Sequence, residues 1–289
     1  VSANNPAKFS YLIEEDFLDS RLCRDLVAAA EELRSELNSQ RVVMGGRRLF
    51  PNTSLFINKL LSSSKAWQEL DLLLHSPPFL ERLREELNVE ASLTPKRVVT
   101  RTAGRTGLLL TRLRGAVHDR PLASASIKQL VALVILRSGL RIARGLSALR
   151  SRFKGQVPVE LLYDYSVATS GYEREIHRDS DAREIVVLIY LNSTADEAGG
   201  HLLLHRLKQE AIASARPDPV DCEVLVDIVP REGTLVAFRN GDQAFHSVSL
   251  LASETAQRHF VYGGYTRLFG SASGITTSER LPTDWALYA

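Results

Sequence analysis

What most constrains the fold is the texture of the chain after Gly155. Seven short runs suited to strands follow one another there: Val159–Ser166, Ile185–Leu191, His201–His205, Glu223–Val229, Thr234–Phe238, Ser247–Leu250 and His259–Tyr265. Turn-forming sequences separate them, at Ala198-Gly199-Gly200, Arg216-Pro217-Asp218-Pro219, Arg231-Glu232-Gly233 and Asn240-Gly241. Short runs with Gly, Pro and Asn punctuation have few compact solutions other than a sandwich or barrel of the jelly-roll kind. The expectation is a mainly β fold with flanking helices, an α+β chain built on that core.

Helices are expected before it. Asp19 and Ser20 can cap a helix in which Leu22, Leu26, Val27, Ala30 and Leu33 recur at helical spacing. A second helical region spans roughly residues 65–87, interrupted at Ser76-Pro77-Pro78, and residues 41–60 read as strand-like or irregular. From Lys96 to Lys154 the chain carries fourteen Lys and Arg against one acid, Asp119, a net charge of +13. The chain as a whole is only +2, so the remainder carries −11. Within that segment residues 126–153 predict an amphipathic helix. Arg137, Arg141 and Arg144 share one face, while Val131, Ile135, Ile142, Leu146 and Leu149 gather opposite. The expected organisation is one domain over residues 1–289. It comprises a helical base with first strands (8–95), a basic helical insertion (96–154), the β core (155–270) and a C-terminal tail (271–289).

Composition narrows the function classes. With 44% apolar and 24% charged residues the chain is of ordinary globular type. Two cysteines, Cys23 and Cys222, allow neither a disulfide framework nor a thiolate metal site, which fits a reducing, cytoplasmic setting. The first residues lack a basic stretch followed by an apolar one, and the longest apolar run, Leu130–Leu136, is far short of the ~20 residues that span a bilayer.

The chemistry is concentrated in His177-Arg178-Asp179, with His246 and Arg258 downstream. His177 and Asp179 are two apart, so on an extended segment both side chains point the same way. His246 comes from another strand and can return to the same end of a cupin-like barrel. Two imidazoles and one carboxylate are the ligand set of non-haem Fe(II) centres with open coordination positions. An arginine beyond the distal histidine offers a planar fork for a carboxylate.

The surroundings resemble the Fe(II)/2-oxoglutarate-dependent oxygenases, and within them the prolyl-hydroxylase-like group. The resemblance rests on Tyr163-Asp164-Tyr165, Gly171-Tyr172, His177-Arg178-Asp179, Tyr190-Leu191-Asn192, Gly199-Gly200-His201, Gly233-Thr234, His246-Ser247-Val248 and Arg258-His259-Phe260. It implies a double-stranded β-helix, with His177, Asp179 and His246 as catalytic iron ligands. Arg258 would pair with the far carboxylate of 2-oxoglutarate, assisted by Tyr190. Tyr165 would line the cofactor pocket, although Tyr163 points to the same face and is not separable from it. Arg258 stands twelve residues after His246, further than is typical of that group, and Arg239 and Arg267 are weaker candidates for its role. The carboxylate of Asp179 points to oxygenation, because related halogenases carry a small residue there. His201 and His205, on a strand face shared with Leu203, read as structural or substrate-side residues.

The resemblance further implies Fe(II), 2-oxoglutarate and dioxygen as reaction partners, with ascorbate as a candidate reductant and succinate and carbon dioxide as co-products. The leading substrate is a small molecule, lipid-linked or carrier-linked. A peptidyl (prolyl-type) hydroxylase and a non-catalytic metal- or ligand-binding cupin are the alternatives. The basic segment could meet an anionic membrane surface, making the protein peripheral there, or an acidic carrier protein. Nucleic acid is disfavoured, because no aromatic residues interleave the arginines.

Overall fold

The computed structural model describes residues 9–36, 42–52, 54–95, 157–208 and 216–267. Twelve strands and four α-helices are placed among them. The expected basic insertion (96–154), the amphipathic helix predicted within it and the expected tail at 271–289 lie outside the described residues.

The N-terminal part begins with β1 (Tyr11–Glu14) and α1 (Ser20–Glu36). Asp19 caps α1 by accepting from the Leu22 amide at 2.8 Å. Next come β2 (Val42–Met44), β3 (Arg47–Pro51), α2 (Leu55–Ser63), α3 (Lys65–Leu74), α4 (Pro77–Glu86) and β4 (Leu93–Pro95). Ser54, Ser64 and Ser76 cap the last three helices, and Pro77 and Pro78 sit in the first turn of α4, where a missing amide hydrogen costs nothing. The break expected at residues 76–78 is thus the junction of two helices. Within 41–60, read as strand-like or irregular, the described residues form β2, β3 and the start of α2.

The β core contains β5 (Val157–Ala168), β6 (Arg174–His177), β7 (Arg183–Tyr190), β8 (Leu202–Leu207), β9 (Cys222–Ile228), β10 (Leu235–Arg239), β11 (Phe245–Val248) and β12 (Arg258–Arg267). All seven expected strands are present with shifted ends; β6 is an addition. The larger sheet runs β1-β10-β7-β12-β5-β3-β2, with β4 parallel to β5, and the smaller runs β6-β11-β8-β9. This is a jelly roll, as expected. Every residue of β7 is buried, because it lies between β10 and β12 with both sheet faces covered.

The two faces of the large sheet have different partners. Tyr163, Tyr165, Ile185, Val187 and Ile189 pack against the helices, where Leu26, Trp67 and Leu83 complete the cluster. The Trp67 indole donates to the Leu26 carbonyl at 2.9 Å and ties α3 to α1. Val186, Leu188, Tyr190, Val236, Phe238 and Phe260 face the small sheet and meet Leu202, Leu204 and Val248. The polar site lies on this second, inward face.

Candidate metal centre

His177 ends β6 and His246 lies in β11; the two residues are Cα partners in the ladder, which sets their rings 4.3 Å apart. Asp179 follows two residues beyond His177. One ligand atom from each of His177, Asp179 and His246 lies within 4.8 Å of the others. His177 Nδ1 is 2.8 Å from the Glu175 carbonyl, and His246 Nδ1 is 3.3 Å from that of Ala244. A carbonyl only accepts, so in each ring Nδ1 carries the hydrogen and Nε2 presents a lone pair. His246 Nε2 is buried and has no hydrogen-bond partner among the described residues. Two lone pairs and a carboxylate oxygen, from one buried and two partly buried residues, suit a first-row divalent metal, and these three residues could hold one.

Charge at the centre is arranged for that state. Burial, and then the neighbouring His246, lower the His177 pKa to about 3, and burial lowers that of His246, so both rings stay neutral at physiological pH. Burial by itself would raise the Asp179 carboxyl; the Arg183 guanidinium foremost, with the Tyr262 hydroxyl bond adding to it, outweighs this and holds the group well below the usual carboxylate range. Asp179 Oδ2 accepts from Arg183 Nη1 at 2.8 Å and from the Tyr262 hydroxyl at 2.7 Å. Arg178 turns outward to Asp181 and Asp242.

Arg258 opens β12 and is 1% exposed. Its guanidinium carbon lies 4.9 Å from the Tyr190 ring centroid and 4.5 Å from that of Phe260. Nη1 donates to the Gly200 carbonyl at 2.6 Å, while Nε has no hydrogen-bond partner among the described residues. The buried Tyr190 hydroxyl is likewise without a hydrogen-bond partner among the described residues. Gly199 and Gly200 both have positive φ, and a Cβ on Gly199 would stand 2.1 Å from the Leu250 carbonyl oxygen, so glycine is required to bring this carbonyl to the arginine. An uncompensated guanidinium donor beside a free phenol is a fitting receptor for a carboxylate. Arg239 instead donates to the Asn88 carbonyl, and Arg267 pairs with Glu184.

Tyr165 requires a correction. It does not line the pocket: it stacks with Phe50 and Phe56, meets Trp67 edge-on and places its hydroxyl 2.8 Å from His259 Nδ1, all on the helix side. Tyr163 shares that side and donates to Asp71. Side chains alternate along β5, so the residues facing inward are Asp164 and Ser166. Counting by twos from Arg258 along β12 reaches Phe260 and Tyr262 on the inward face, a signal present in the sequence that identifies Tyr262. Arg47 of β3 completes the floor, donating to Asp164 and Ser166 at 2.9 Å each. His201 pairs with Asp227, and His205 contacts Ser247 Oγ at 2.7 Å; neither joins the ligand cluster.

His259 makes the helix side sensitive to acid. Burial, and then Arg34, lower its pKa to about 4, with Glu31 and Tyr165 as its other neighbours. In the unfolded chain the value is near 6.5, so the stability gained from the neutral ring is full above that pH and is lost as the pH falls towards 4. Stability should therefore drop between pH 7 and pH 5 by roughly 1–2 kcal/mol on this account. Urea unfolding at the two pH values should show a smaller drop for His259→Gln; an equal drop would refute the assignment.

Residues 162–266 match the family model of the 2OG-Fe(II) oxygenase superfamily. No curated protein matches the chain. Among solved structures it is similar to a prolyl-4-hydroxylase of Pseudomonas putida, at 14% identity over 90% of this chain and 94% of that one, with a TM-score of 0.44. It is also similar to HygX of Streptomyces hygroscopicus with nickel and 2-oxoglutarate bound, at 12% identity, 90% and 84% coverage and a TM-score of 0.43. A third is the epimerase SnoN from nogalamycin biosynthesis, at 11% identity, 89% and 78% coverage and a TM-score of 0.46.

Proposed function

With residues 162–266 as a 2OG-Fe(II) oxygenase superfamily domain, we propose that the chain hydroxylates an unactivated C–H bond through an Fe(II) centre at His177, Asp179 and His246. The observation that carries this reading is three buried polar atoms that lack a hydrogen-bond partner among the described residues: His246 Nε2, Arg258 Nε and the Tyr190 hydroxyl. Buried polar atoms lacking partners are costly, and a metal plus a dicarboxylate would supply what each lacks. Bound there, Fe(II) with 2-oxoglutarate and dioxygen supplies the oxidising chemistry, yielding succinate and carbon dioxide. The chain's residues hold and orient. His177 and His246 present neutral Nε2 atoms, Asp179 offers a carboxylate oxygen, and Arg258 with Tyr190 fixes the far carboxylate of the co-substrate. Phe260 and Phe238 exclude water around them. Ascorbate is the candidate reductant for keeping the metal in its ferrous state.

For the prime substrate we favour a small molecule, free or tethered to a lipid or carrier. The support is the +13 segment at residues 96–154, which an anionic headgroup, membrane surface or acidic carrier would complement. The protein would then act in the cytoplasm or at a membrane surface. No helix among the described residues is long and apolar enough to cross a membrane.

Fe(II)-dependent succinate release from 2-oxoglutarate, followed by mass spectrometry across small-molecule, lipid-linked, carrier-linked and peptide candidates, tests both levels. Succinate should form with Fe(II), stop on chelation and rise with the true substrate. If no candidate elicits metal-dependent release, the enzymatic reading is lost; stimulation by peptides alone would overturn the small-molecule reading.

A further inference from the structure

Among the described residues, both side-chain hydrogen bonds to Asp179 fall on one oxygen. Oδ2 takes both short hydrogen bonds, from Arg183 and from Tyr262, whereas Oδ1 lies towards His177 Nε2 at 3.9 Å. The donors are themselves fixed. The Tyr262 ring lies between two guanidiniums, with Arg47 at 5.4 Å and Arg183 at 5.3 Å from its centroid. Arg47 cannot drift, because Asp164 and Ser166 hold it from β5. A carboxylate can bind a metal through one oxygen or through both, and two strong donors on Oδ2 compete directly with the second mode.

Resting on the reading of the triad as a metal centre, we propose that Tyr262 and Arg183 are positioning residues that confine Asp179 to one-oxygen ligation. A two-oxygen carboxylate would claim a further coordination position, one that an open site must keep for co-substrate or dioxygen. Tyr262 thus preserves the openness of the site without touching the metal. The inward-facing polar residues of β3, β5 and β12 thereby acquire a common purpose: Asp164 and Ser166 hold Arg47, Arg47 flanks Tyr262, and Tyr262 holds Asp179.

Co(II) titration of the full chain, read by visible absorption and by competition with a chromophoric chelator, tests this without turnover. Tyr262→Phe keeps the ring and removes the donor. It should weaken Co(II) binding by about 10- to 100-fold and alter the d–d bands, which report coordination number and geometry. Tyr163→Phe removes a phenol from the opposite face of the same sheet, where it donates to Asp71. That variant should keep the wild-type affinity and spectrum even if its melting temperature falls. A folded Tyr262→Phe with wild-type affinity and bands overturns the inference while leaving the metal centre intact. A wild-type chain that binds no Co(II) overturns the metal centre itself, and this inference with it.

Discussion

Arg258→Met should raise the 2-oxoglutarate concentration needed for half-maximal response by between about 30-fold and a few thousand-fold. Truncating one member of a buried, hydrogen-bonded charge pair costs about 2–5 kcal/mol, and each 1.4 kcal/mol is a factor of ten. Methionine suits the test because its stem can occupy the space between the Tyr190 and Phe260 rings and introduces no orphaned charge. The Gly200 carbonyl loses its 2.6 Å donor, so some stability is lost as well. Co-substrate binding is therefore best read as the 2-oxoglutarate-dependent rise in melting temperature of the Co(II)-loaded protein, each variant against its own baseline. Arg258→Lys should recover only part of the effect, because an ammonium keeps the charge but not the planar fork. Arg267→Met should have none, since Arg267 pairs with Glu184 at the far end of β12. An unchanged 2-oxoglutarate response in folded Arg258→Met would remove Arg258 from the co-substrate site.

The difference between Arg258 and Tyr165 shows what can be read from sequence here. The seven strands follow from local pattern, alternation and turn residues, and the two-residue spacing of His177 and Asp179 places both on one side of an extended segment; His246, Arg258 and Tyr190 take their roles from the family resemblance. Tyr165 fails on parity. In Tyr163-Asp164-Tyr165 alternation separates the two tyrosines from the aspartate, but cannot say which set faces the site. A strand with one wet face would bury its tyrosines and expose Asp164. This strand is covered on both faces, so the tyrosines pack on the helices and Asp164 turns inward to Arg47. β6 was not visible because Arg-Glu-Ile-His has almost no apolar alternation; its place depends on pairing with β11. α2 was hidden for the converse reason, since Leu55, Phe56 and Ile57 also suit a strand and only the Ser54 cap marks a helix start. The Arg183 and Tyr262 contacts join residues 179, 183 and 262, a relation that exists only once β7 and β12 are neighbours.

The Asp164–Arg47 pair follows from the same inversion and should dominate stability. Asp164 is 4% exposed and accepts from Arg47 Nη2 at 2.9 Å, with the Tyr172, Phe260 and Tyr262 rings around the guanidinium. The pair raises the affinity of Arg47 for its proton even though burial opposes it, so the arginine cannot escape by neutralising. Removing only the acid leaves a buried cation with reduced compensation, and Asp164→Ala should cost about 3–5 kcal/mol in urea or thermal unfolding. Arg47→Met/Asp164→Leu removes both charges and fills their volume, so it should recover most of that loss. The two outcomes separate stability from positioning. If the pair matters only as a pair, the double variant is stable and its Tyr262 still holds Asp179. If Arg47 also fixes the Tyr262 ring, the stable double variant should bind Co(II) less tightly than wild type. A single variant as stable as wild type would contradict the buried-charge argument, because exposed ion pairs alone tolerate such a loss at a cost of about 0–1 kcal/mol.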